Sequence, residues 1–246
     1  MKIKFDTHTH TLASTHAYST LSENATYAAK IGMDGFAVTD HAPALPDAPH
    51  DWHFRNLKNV PRNLYGQKIL VGAELNILDP EGNVDLDDEL LGLMDVVNAS
   101  IHAPAYKGKA GADCTGAYES AVENPLIDII CHSGSPAFPY DYEYIIKLAK
   151  KNGKLIEINN HTFFVRKGSI TNCRKIAELC KKHEVGIVVS SDAHMFTDIG
   201  DYTQALGMLE EIGFPEELVM NTSYEKFAAY MKDVRNKEMM SWKLEA

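Results

Sequence analysis

Seven short apolar segments recur along this chain, and stretches with helical spacing or loop-type residues lie between them. They cover residues 3–7, 35–41, 68–74, 95–100, 127–131, 154–160 and 186–189. A chain that alternates strands with helices pairs its strands in parallel through right-handed crossovers. With 246 residues and 45% apolar composition, the chain can bury one large core. The pattern predicts an α/β fold in a single domain over residues 1–246, a distorted TIM-like (β/α)7 barrel one unit short of eight.

Helices are predicted between these segments. They are expected over residues 22–31, 116–124, 141–153 and 171–183, with another before Gly213 and a last one from about residue 223. Residues 79–92 are acidic and predict a turn with one or two helical turns. Residues 42–53 contain three prolines and predict a surface loop without helix or strand, in which Trp52 is a candidate lid.

His8 and His10 follow the first apolar segment two residues apart. Side-chain direction along a strand repeats every two residues, so both imidazoles leave the same face. Two imidazoles on one face can bind one metal ion. An HxH pair also arises by chance, so the pair alone leaves both interpretations open.

Metal-ligand residue types follow most of the later segments as well. Segments two, three, four, five and seven lead into Asp40-His41, Glu74, His102, His132 and Asp192-Ala193-His194. The carboxyl ends of all strands in a TIM-type barrel meet at one face, which carries the active site. An open doubly wound sheet is the structural alternative, but it would arrange these ends in a line and leave many histidines too far apart to cooperate.

Composition narrows the function classes. The formal net charge of −10 argues against a broad nucleic-acid-binding surface. No apolar run approaches the roughly 20 residues of a membrane span, and no signal-peptide core precedes the first strand, so we expect a cytoplasmic protein without a membrane partner. Cys114, Cys131, Cys173 and Cys180 form no CxxC pair and are expected to be reduced packing residues.

The order and spacing of these residues resemble the PHP family, the polymerase-and-histidinol-phosphatase metal hydrolases, and within it the stand-alone YcdX-like phosphatases. The resemblance is carried by Asp6-Thr7-His8-Thr9-His10, His16, Thr39-Asp40-His41, Glu74, His102, His132 and Ser191-Asp192-Ala193-His194. It extends to residues 13–19, 47–54 and 157–160, and so spans nearly the whole chain. Ser133 departs from the proline of many relatives, which should affect loop stiffness more than metal binding.

The resemblance implies a single PHP-type barrel that binds three divalent metal ions. Carried over by position, three groups of ligands would hold them: His8, His10 and Asp192; His102 and His132, with Glu74 as a bridge to the first group; and His16, His41 and His194. Seven imidazoles and two carboxylates suit zinc, manganese or iron(II), and the lack of cysteine in the set argues against a purely structural zinc site. Zinc is the expected ion.

The function that the resemblance implies is that of a metal-dependent phosphatase, a phosphomonoesterase acting on a small phosphorylated molecule. A metal-bound hydroxide between the first two ions would attack phosphorus in line, with Glu74 and Asp192 as the catalytic carboxylates, while the third ion would hold phosphate oxygens. Arg166, beyond the sixth segment, is a candidate for binding substrate phosphate. A solvated basic loop with Lys167 is the competing interpretation.

Four other histidines, at positions 50, 53, 161 and 183, are not expected to bind metal. Asp6 and Asp40 lie next to ligand histidines and are expected to accept the far ring N–H of an imidazole, with strand-end capping as the alternative. The resemblance also suggests a homo-oligomer, a trimer.

Three other functions compete with the phosphatase. An amidohydrolase-like enzyme for C–N or C–O bonds also begins with HxH and ends with an aspartate after a late strand, but a third metal at His16, His41 and His194 has no obvious role there. A nuclease is a further alternative, against which the acidic charge counts. A metal-dependent binding module without catalysis would be excluded by turnover of a phosphate ester.

Overall fold

The computed structural model describes residues 1–239, with the side chain of Lys167 outside the description, so the prediction for that side chain lies outside the described residues. Its strands are β1 Phe5–Thr9, β2 Gly35–Val38, β3 Asn63–Leu64, β4 Gln67–Asn76, β5 Val96–Ser100, β6 Ile129–Ile130, β7 Leu155–Asn159 and β8 Ile187–Ser190. Seven of them pair in parallel in the order β1-β2-β4-β5-β6-β7-β8, while β3 pairs antiparallel with β4. The predicted seven-stranded α/β barrel is confirmed, and it is nearly closed.

Helices connect the strands and pack around them. Their bounds are α1 Leu21–Lys30, α2 Asp51–Arg55, α3 Asp88–Leu91, α4 Thr115–Glu123, α5 Tyr142–Lys151, α6 Thr162–Val165, α7 Ile170–His183, α8 Thr203–Glu211 and α9 Tyr224–Arg235. Short 3-10 turns lie at Leu57–Asn59, Lys167–Ser169, Phe196–Asp198 and Glu216–Leu218. Within residues 1–239, no helix has the length and apolar character needed to cross a membrane.

Inward-facing strand residues change from apolar to polar along the barrel. On β4, Leu70 belongs to the apolar cluster inside the barrel, and Glu74 lies four residues later on the same side. On β7 the same change runs from Leu155 to Glu157. Phe227 of α9 stacks on the inner cluster at the amino-terminal end. The barrel therefore has an apolar core at one end and a polar interior at the end where the strands finish.

Two different sets of contacts close the seam between β1 and β8. At the carboxyl-terminal end, Thr9 and Ala193 form an isolated parallel bridge. At the other end, the buried amide of Asn221 donates to the carbonyl oxygens of Phe5 at 2.8 Å and Val189 at 2.6 Å, and accepts from the Val189 N–H at 3.0 Å. One side chain thus supplies hydrogen bonds that an eighth barrel strand would otherwise make.

Two local predictions differ from the structure near the proline-rich segment and before β4. The sequence predicts no helix in the segment 42–53, yet α2 begins at Asp51. The His50 ring caps this helix by accepting a hydrogen bond from the Trp52 N–H, and no proline follows Pro49 to interrupt it. The β3–β4 hairpin has Tyr65 and Gly66 at φ of 53° and 82°, a turn that requires two left-handed residues. Tyrosine is a rare residue there, so the sequence gives little sign of the hairpin.

Two further details concern helix starts and the cysteines. Helix α1 begins one residue after Thr20, which forms a capping box with Glu23, so the cap precedes the predicted start at Ser22. Asp141 caps α5 as predicted. All four cysteines are free and buried, as expected for packing residues.

Replacement of Asn221 by alanine should destabilise the fold. The variant leaves Phe5 and Val189 backbone groups unpaired in the interior, which should lower the free energy of unfolding by about 1–3 kcal/mol. Urea unfolding followed by circular dichroism measures this free energy of unfolding. The matched control is Asn63→Ala on exposed β3, expected to shift the free energy by less than about 0.5 kcal/mol. Equal effects of the two variants would contradict the role of Asn221.

Candidate metal centre

The nine predicted ligand residues lie together at the carboxyl-terminal end of the barrel. Short distances connect their side chains into one cluster: His8, His10, His16, His41, Glu74, His102, His132, Asp192 and His194. They lie near or beyond the carboxyl ends of β1, β2, β4, β5, β6 and β8, so strands distant in sequence supply them. The strand-end argument therefore identified residues that the fold brings together.

Glu74 lies at the centre of this cluster and is fully buried. Its Oε1 lies 2.7 Å from His132 Nε2 and 3.2 Å from His102 Nε2. Its Oε2 lies 2.7 Å from His41 Nδ1 and 3.3 Å from His8 Nε2, with His10 Nε2 at 3.6 Å. The two oxygens thus face different sets of imidazoles, an arrangement that lets one carboxylate join two neighbouring sites.

Asp192 is the second carboxylate of the cluster. Its Oδ1 lies 3.1 Å from His10 Nε2 and 3.5 Å from His8 Nε2, while Oδ2 accepts from the Asn159 amide at 3.1 Å. The backbone of Asp192 has φ of 54°, and that of His132 has φ of 28°. Non-glycine residues rarely adopt these values, and such strain is concentrated at functional sites.

The outer part of the cluster consists of His16, His41 and His194. His16 and His41 bring their Nε2 atoms to 3.2 Å, and the rings of His16 and His194 stack with centroids 4.7 Å apart. His10 lies beneath them, with its ring 4.3 Å from that of His41 and 4.3 Å from that of His194. Only His16 among these is substantially exposed, so this part of the cluster opens towards solvent.

Several buried atoms in the cluster have no hydrogen-bond partner within the described residues: His8 Nε2, His41 Nδ1 and Glu74 Oε2. Glu74 Oε2 lies 2.7 Å from His41 Nδ1 and 3.3 Å from His8 Nε2, but neither pair is aligned for a hydrogen bond. Buried polar atoms are costly unless something satisfies them, and a cation among them would do so. Three groups of predicted ligands have donor atoms close enough to share an ion: His8, His10 and Glu74; His41, Glu74 and His102; and His10, His41 and His194. The residues therefore fit a metal centre.

Three polar side chains fix the orientation of cluster imidazoles. Glu157 Oε1 accepts from His8 Nδ1 at 2.7 Å, and Asn76 Oδ1 accepts from His102 Nδ1 at 2.7 Å. Asp47 Oδ2 accepts from His16 Nδ1 at 2.5 Å. In each case the Nδ1 contact leaves Nε2 directed at the cluster, which is how proteins present a histidine to a metal.

Glu157 is a functional candidate that sequence reasoning did not single out. Its second oxygen, Oε2, accepts from the backbone N–H of His132 at 2.8 Å, so one carboxylate holds parts of two predicted ligand residues. Cys131 also lies beside His8 and Glu157, and one donor atom from each of the three lies within 4.8 Å of the others. The available signal was a single acidic residue at an inward position of β7, between Ile156 and Ile158.

Asp6 and Asp40 make contacts other than the expected ring contacts. Asp6 accepts from the Ser191 hydroxyl and from the Tyr202 hydroxyl at 2.9 Å. Asp40 accepts from Thr11 N and Oγ1 and from the Ser14 hydroxyl at 2.8 Å. Both carboxylates tie neighbouring loops to strand ends, which is the capping alternative. The expectation that Asp6 or Asp40 orients a ligand imidazole stays a prediction, because none of these hydrogen bonds joins either carboxylate to such a ring.

Electrostatics act differently on the two kinds of side chain in the cluster. Burial, reinforced by the Arg166 charge, lowers the pKa of His132 to about 4, and burial also lowers the pKa of His10. Burial alone would raise the pKa of Glu74, but the surrounding imidazoles outweigh it and hold that pKa well below its usual range. Burial opposes protonation of His8 and His41 as well, but neighbouring carboxylates outweigh it and raise the pKa of both imidazoles. Metal binding requires neutral imidazoles and ionised carboxylates, so a cation would have to displace a proton from these two rings.

A cavity of about 750 Å³ opens directly above the cluster. Its lining includes His16, His41, His102, His132 and His194 together with Arg166. Arg166 Nη1 lies 3.3 Å from Asp192 Oδ2, and its side chain is half-buried, so this residue faces the site.

Comparisons with known proteins agree with the class that fold and site define, a barrel enzyme with a candidate metal centre. A profile of the PHP domain matches residues 6–232. A probable phosphatase of Acetivibrio thermocellus is 48% identical over 238 residues, covering 97% of this chain and 98% of the relative. A probable phosphatase of Clostridium novyi is 44% identical, covering 94% and 96%. The chain belongs to the PHP-domain family.

A solved structure shows the same fold. The crystal structure of histidinol phosphate phosphatase from Lactococcus lactis, complexed with zinc, L-histidinol and phosphate, superposes with a TM-score of 0.60 at 16% identity and covers 87% of this chain and 95% of its own. At this identity the likeness shows the fold alone. The predicted family, barrel and enzyme class, a phosphatase, are confirmed.

Replacement of Glu157 by glutamine should weaken metal binding. The variant removes the charge that holds His8 and places an amide N–H where the His132 N–H now donates, so the affinity for divalent metal should fall roughly 10–100-fold. Competition with a chelating dye measures this affinity for divalent metal. The matched control is Glu143→Gln, because Glu143 accepts from His183 Nε2 at 2.8 Å on the surface. Wild-type affinity in Glu157→Gln would contradict the assignment.

Proposed function

We propose that this phosphatase is a metal-dependent phosphomonoesterase that hydrolyses a small phosphorylated molecule. The observation that carries the proposal is the buried Glu74 carboxylate among five imidazoles, beneath an open cavity that Arg166 lines. A concentrated set of neutral imidazoles and two carboxylates suits divalent ions, and the arginine supplies a further positive charge at the mouth of the site.

The proposed centre holds three divalent ions, with zinc as the first choice and manganese or iron(II) as alternatives. The ligand groups are His8, His10 and Asp192 for the first ion, His102 and His132 for the second with Glu74 shared, and His16, His41 and His194 for the third. The distances from Glu74 to imidazoles of both inner groups support its bridging role. The groups close enough to share an ion overlap through His10 and His41, as expected when neighbouring ions lie close together.

Divalent ions in this centre would polarise the phosphoryl group and make a water molecule acidic enough to act as nucleophile. The chain's own residues have three tasks around that chemistry. Arg166 binds non-bridging phosphate oxygens through its guanidinium, which matches phosphate geometry. Glu157 and Asn76 keep His8 and His102 in the tautomer that presents Nε2 to the site. Glu74 and Asp192 supply the negative charge that balances the ions.

Two other functions remain alternatives. An amidohydrolase-like hydrolase of C–N or C–O bonds would need the inner ligands but not the outer group of His16, His41 and His194, and the close packing of these three rings favours the phosphatase. A nuclease would need a basic surface, which the net charge of −10 does not supply. The proposed setting is the cytoplasm, and the proposed assembly is a homo-trimer.

The metal content of the purified protein tests the three-ion proposal. Protein prepared without added metal or chelator should carry about three divalent ions per chain and hydrolyse p-nitrophenyl phosphate. His194→Ala should carry about two ions and lose most activity while remaining folded, because it removes one outer ligand. His183→Ala is the matched control, since His183 contacts Glu143 on the surface.

Two outcomes would reject the proposal. Full activity and metal content in His194→Ala would exclude a third ion at the outer group. One or two ions in the wild type without turnover of phosphate esters would favour the amidohydrolase-like alternative, and amides and lactones would be the next substrates.

Replacement of Arg166 by alanine should weaken phosphate binding. We expect KM for p-nitrophenyl phosphate and the inhibition constant of inorganic phosphate to rise roughly tenfold, because a charge-assisted contact is lost. Arg174→Ala, which breaks a surface pair with Glu211, is the control. If kcat and metal content fall while KM stays constant, Arg166 serves to position Asp192 and does not bind phosphate.

A further inference from the structure

The cavity above the candidate metal centre has an apolar part that the proposed phosphate chemistry does not use. Its walls come from the segments after β2, β5, β6 and β7 and from α4: Leu45, Ile101, Pro104, Tyr118, Phe138 and Val165. The imidazoles and Arg166 line the end of the cavity at which the phosphate group would bind. A phosphate ester held there has its leaving group in the remaining space, so these walls determine which leaving groups fit.

This apolar wall is backed by packed aromatic rings. Phe138 is only 6% exposed and packs edge to face against Tyr106, with ring centroids 5.4 Å apart. Tyr118 is buried, and its ring lies 4.2 Å from that of Tyr140. Ile101 is also buried. Because these side chains belong to the core, the wall does not need to form when a ligand arrives, and its apolar character is a fixed property of the site.

Charged groups in the described lining are few outside the histidines. Asp47 is the one carboxylate among those residues, and it already accepts from His16 Nδ1 at 2.5 Å. Arg166 is the one lysine or arginine in the same lining, and the proposed function assigns it to phosphate. A leaving group with an ammonium group would therefore lose hydration without gaining an anionic partner, which is costly. A leaving group with a second phosphate would find no lysine or arginine besides Arg166 among the described lining residues.

We infer, on the basis of the proposed phosphatase function, that the apolar wall is a leaving-group subsite and that the substrates are phosphate monoesters of compact, uncharged alcohols with an apolar or aromatic face. The cavity of about 750 Å³ is in the range of small-molecule sites. Burial of the leaving group's carbon atoms against Ile101, Phe138 and Val165 contributes the selectivity. Amino alcohols are discriminated against because the one carboxylate of the described lining, Asp47, is already paired with His16.

Two isosteric phosphonates test this subsite by binding alone. n-Propylphosphonate and 2-aminoethylphosphonate have the same heavy-atom skeleton, differ by a methyl against an ammonium group, and cannot be hydrolysed. Calorimetry on the metal-loaded protein should show that the propyl compound binds at least about tenfold more tightly. Equal binding, or tighter binding of the aminoethyl compound, would overturn the inference.

Substitutions in the wall identify where the selectivity arises. Val165→Asp and Ala103→Asp each add a carboxylate at an exposed position of the cavity lining, on two different wall segments. Each should reduce the preference for the propyl compound about tenfold or reverse it, because the ammonium group gains a partner. Val234→Asp is the matched control, an exposed valine on α9 outside the lining, and it should leave the ratio unchanged. An unchanged ratio in both wall variants would overturn the assignment of the subsite.

Turnover of the corresponding esters separates this inference from the proposed function. The ammonium group makes 2-aminoethanol the better leaving group, so a higher kcat/KM for n-propyl phosphate than for 2-aminoethyl phosphate cannot come from intrinsic reactivity. Turnover of both esters with a preference for the amino ester would reject the subsite and keep the phosphatase. Failure to bind inorganic phosphate or hydrolyse either ester would reject both proposals.

Discussion

The buried carboxylate of Glu74 is the feature on which the rest of the site depends. An ionised group without solvent contact needs compensation from its surroundings. Here the Ser100 hydroxyl donates at 2.9 Å, and imidazoles approach both carboxylate oxygens. A neutral imidazole such as His132, whose pKa burial lowers to about 4, supplies no counter-charge, whereas divalent cations would. The fold therefore holds a negative charge at its centre that is best stabilised by metal, which links the stability of the barrel to metal binding.

The position of that carboxylate follows from the construction of the barrel. Inward residues are apolar where the strands begin and polar where they end, so one strand such as β4 contributes Leu70 to the core and Glu74 to the site. The helices hold the outer face of the same strands through residues such as Ile69 and Val71. Packing on both faces of the sheet holds the strand backbone rigid. A site that must keep several candidate ligands within bonding distance of one ion needs such a rigid backbone.

Strand number, barrel form and the clustering of the nine candidate ligands could be predicted because each rests on a local pattern: an apolar run that ends in or leads into a histidine or carboxylate. Other features depend on contacts between distant residues and have no local pattern. Glu157 is one acidic residue in a strand until the fold brings it to His8. Asp40 is next to His41 in sequence, yet its hydrogen bonds go to Thr11 and Ser14. The apolar wall joins five segments, so its shape is a property of the folded chain alone.

The seam between β1 and β8 gives the site a further property. His8 and His10 lie at the end of the first strand and Asp192 follows the last, so the candidate ligand atoms His10 Nε2 and Asp192 Oδ1, 3.1 Å apart, lie on the two sides of the line where the barrel closes. Contacts between residues so distant in sequence are slow to form and are lost early. An ion held by residues of both strands would join them across this line. We expect the apo barrel to open there first in hydrogen exchange, so that metal supply governs the lifetime of the folded chain as well as its chemistry.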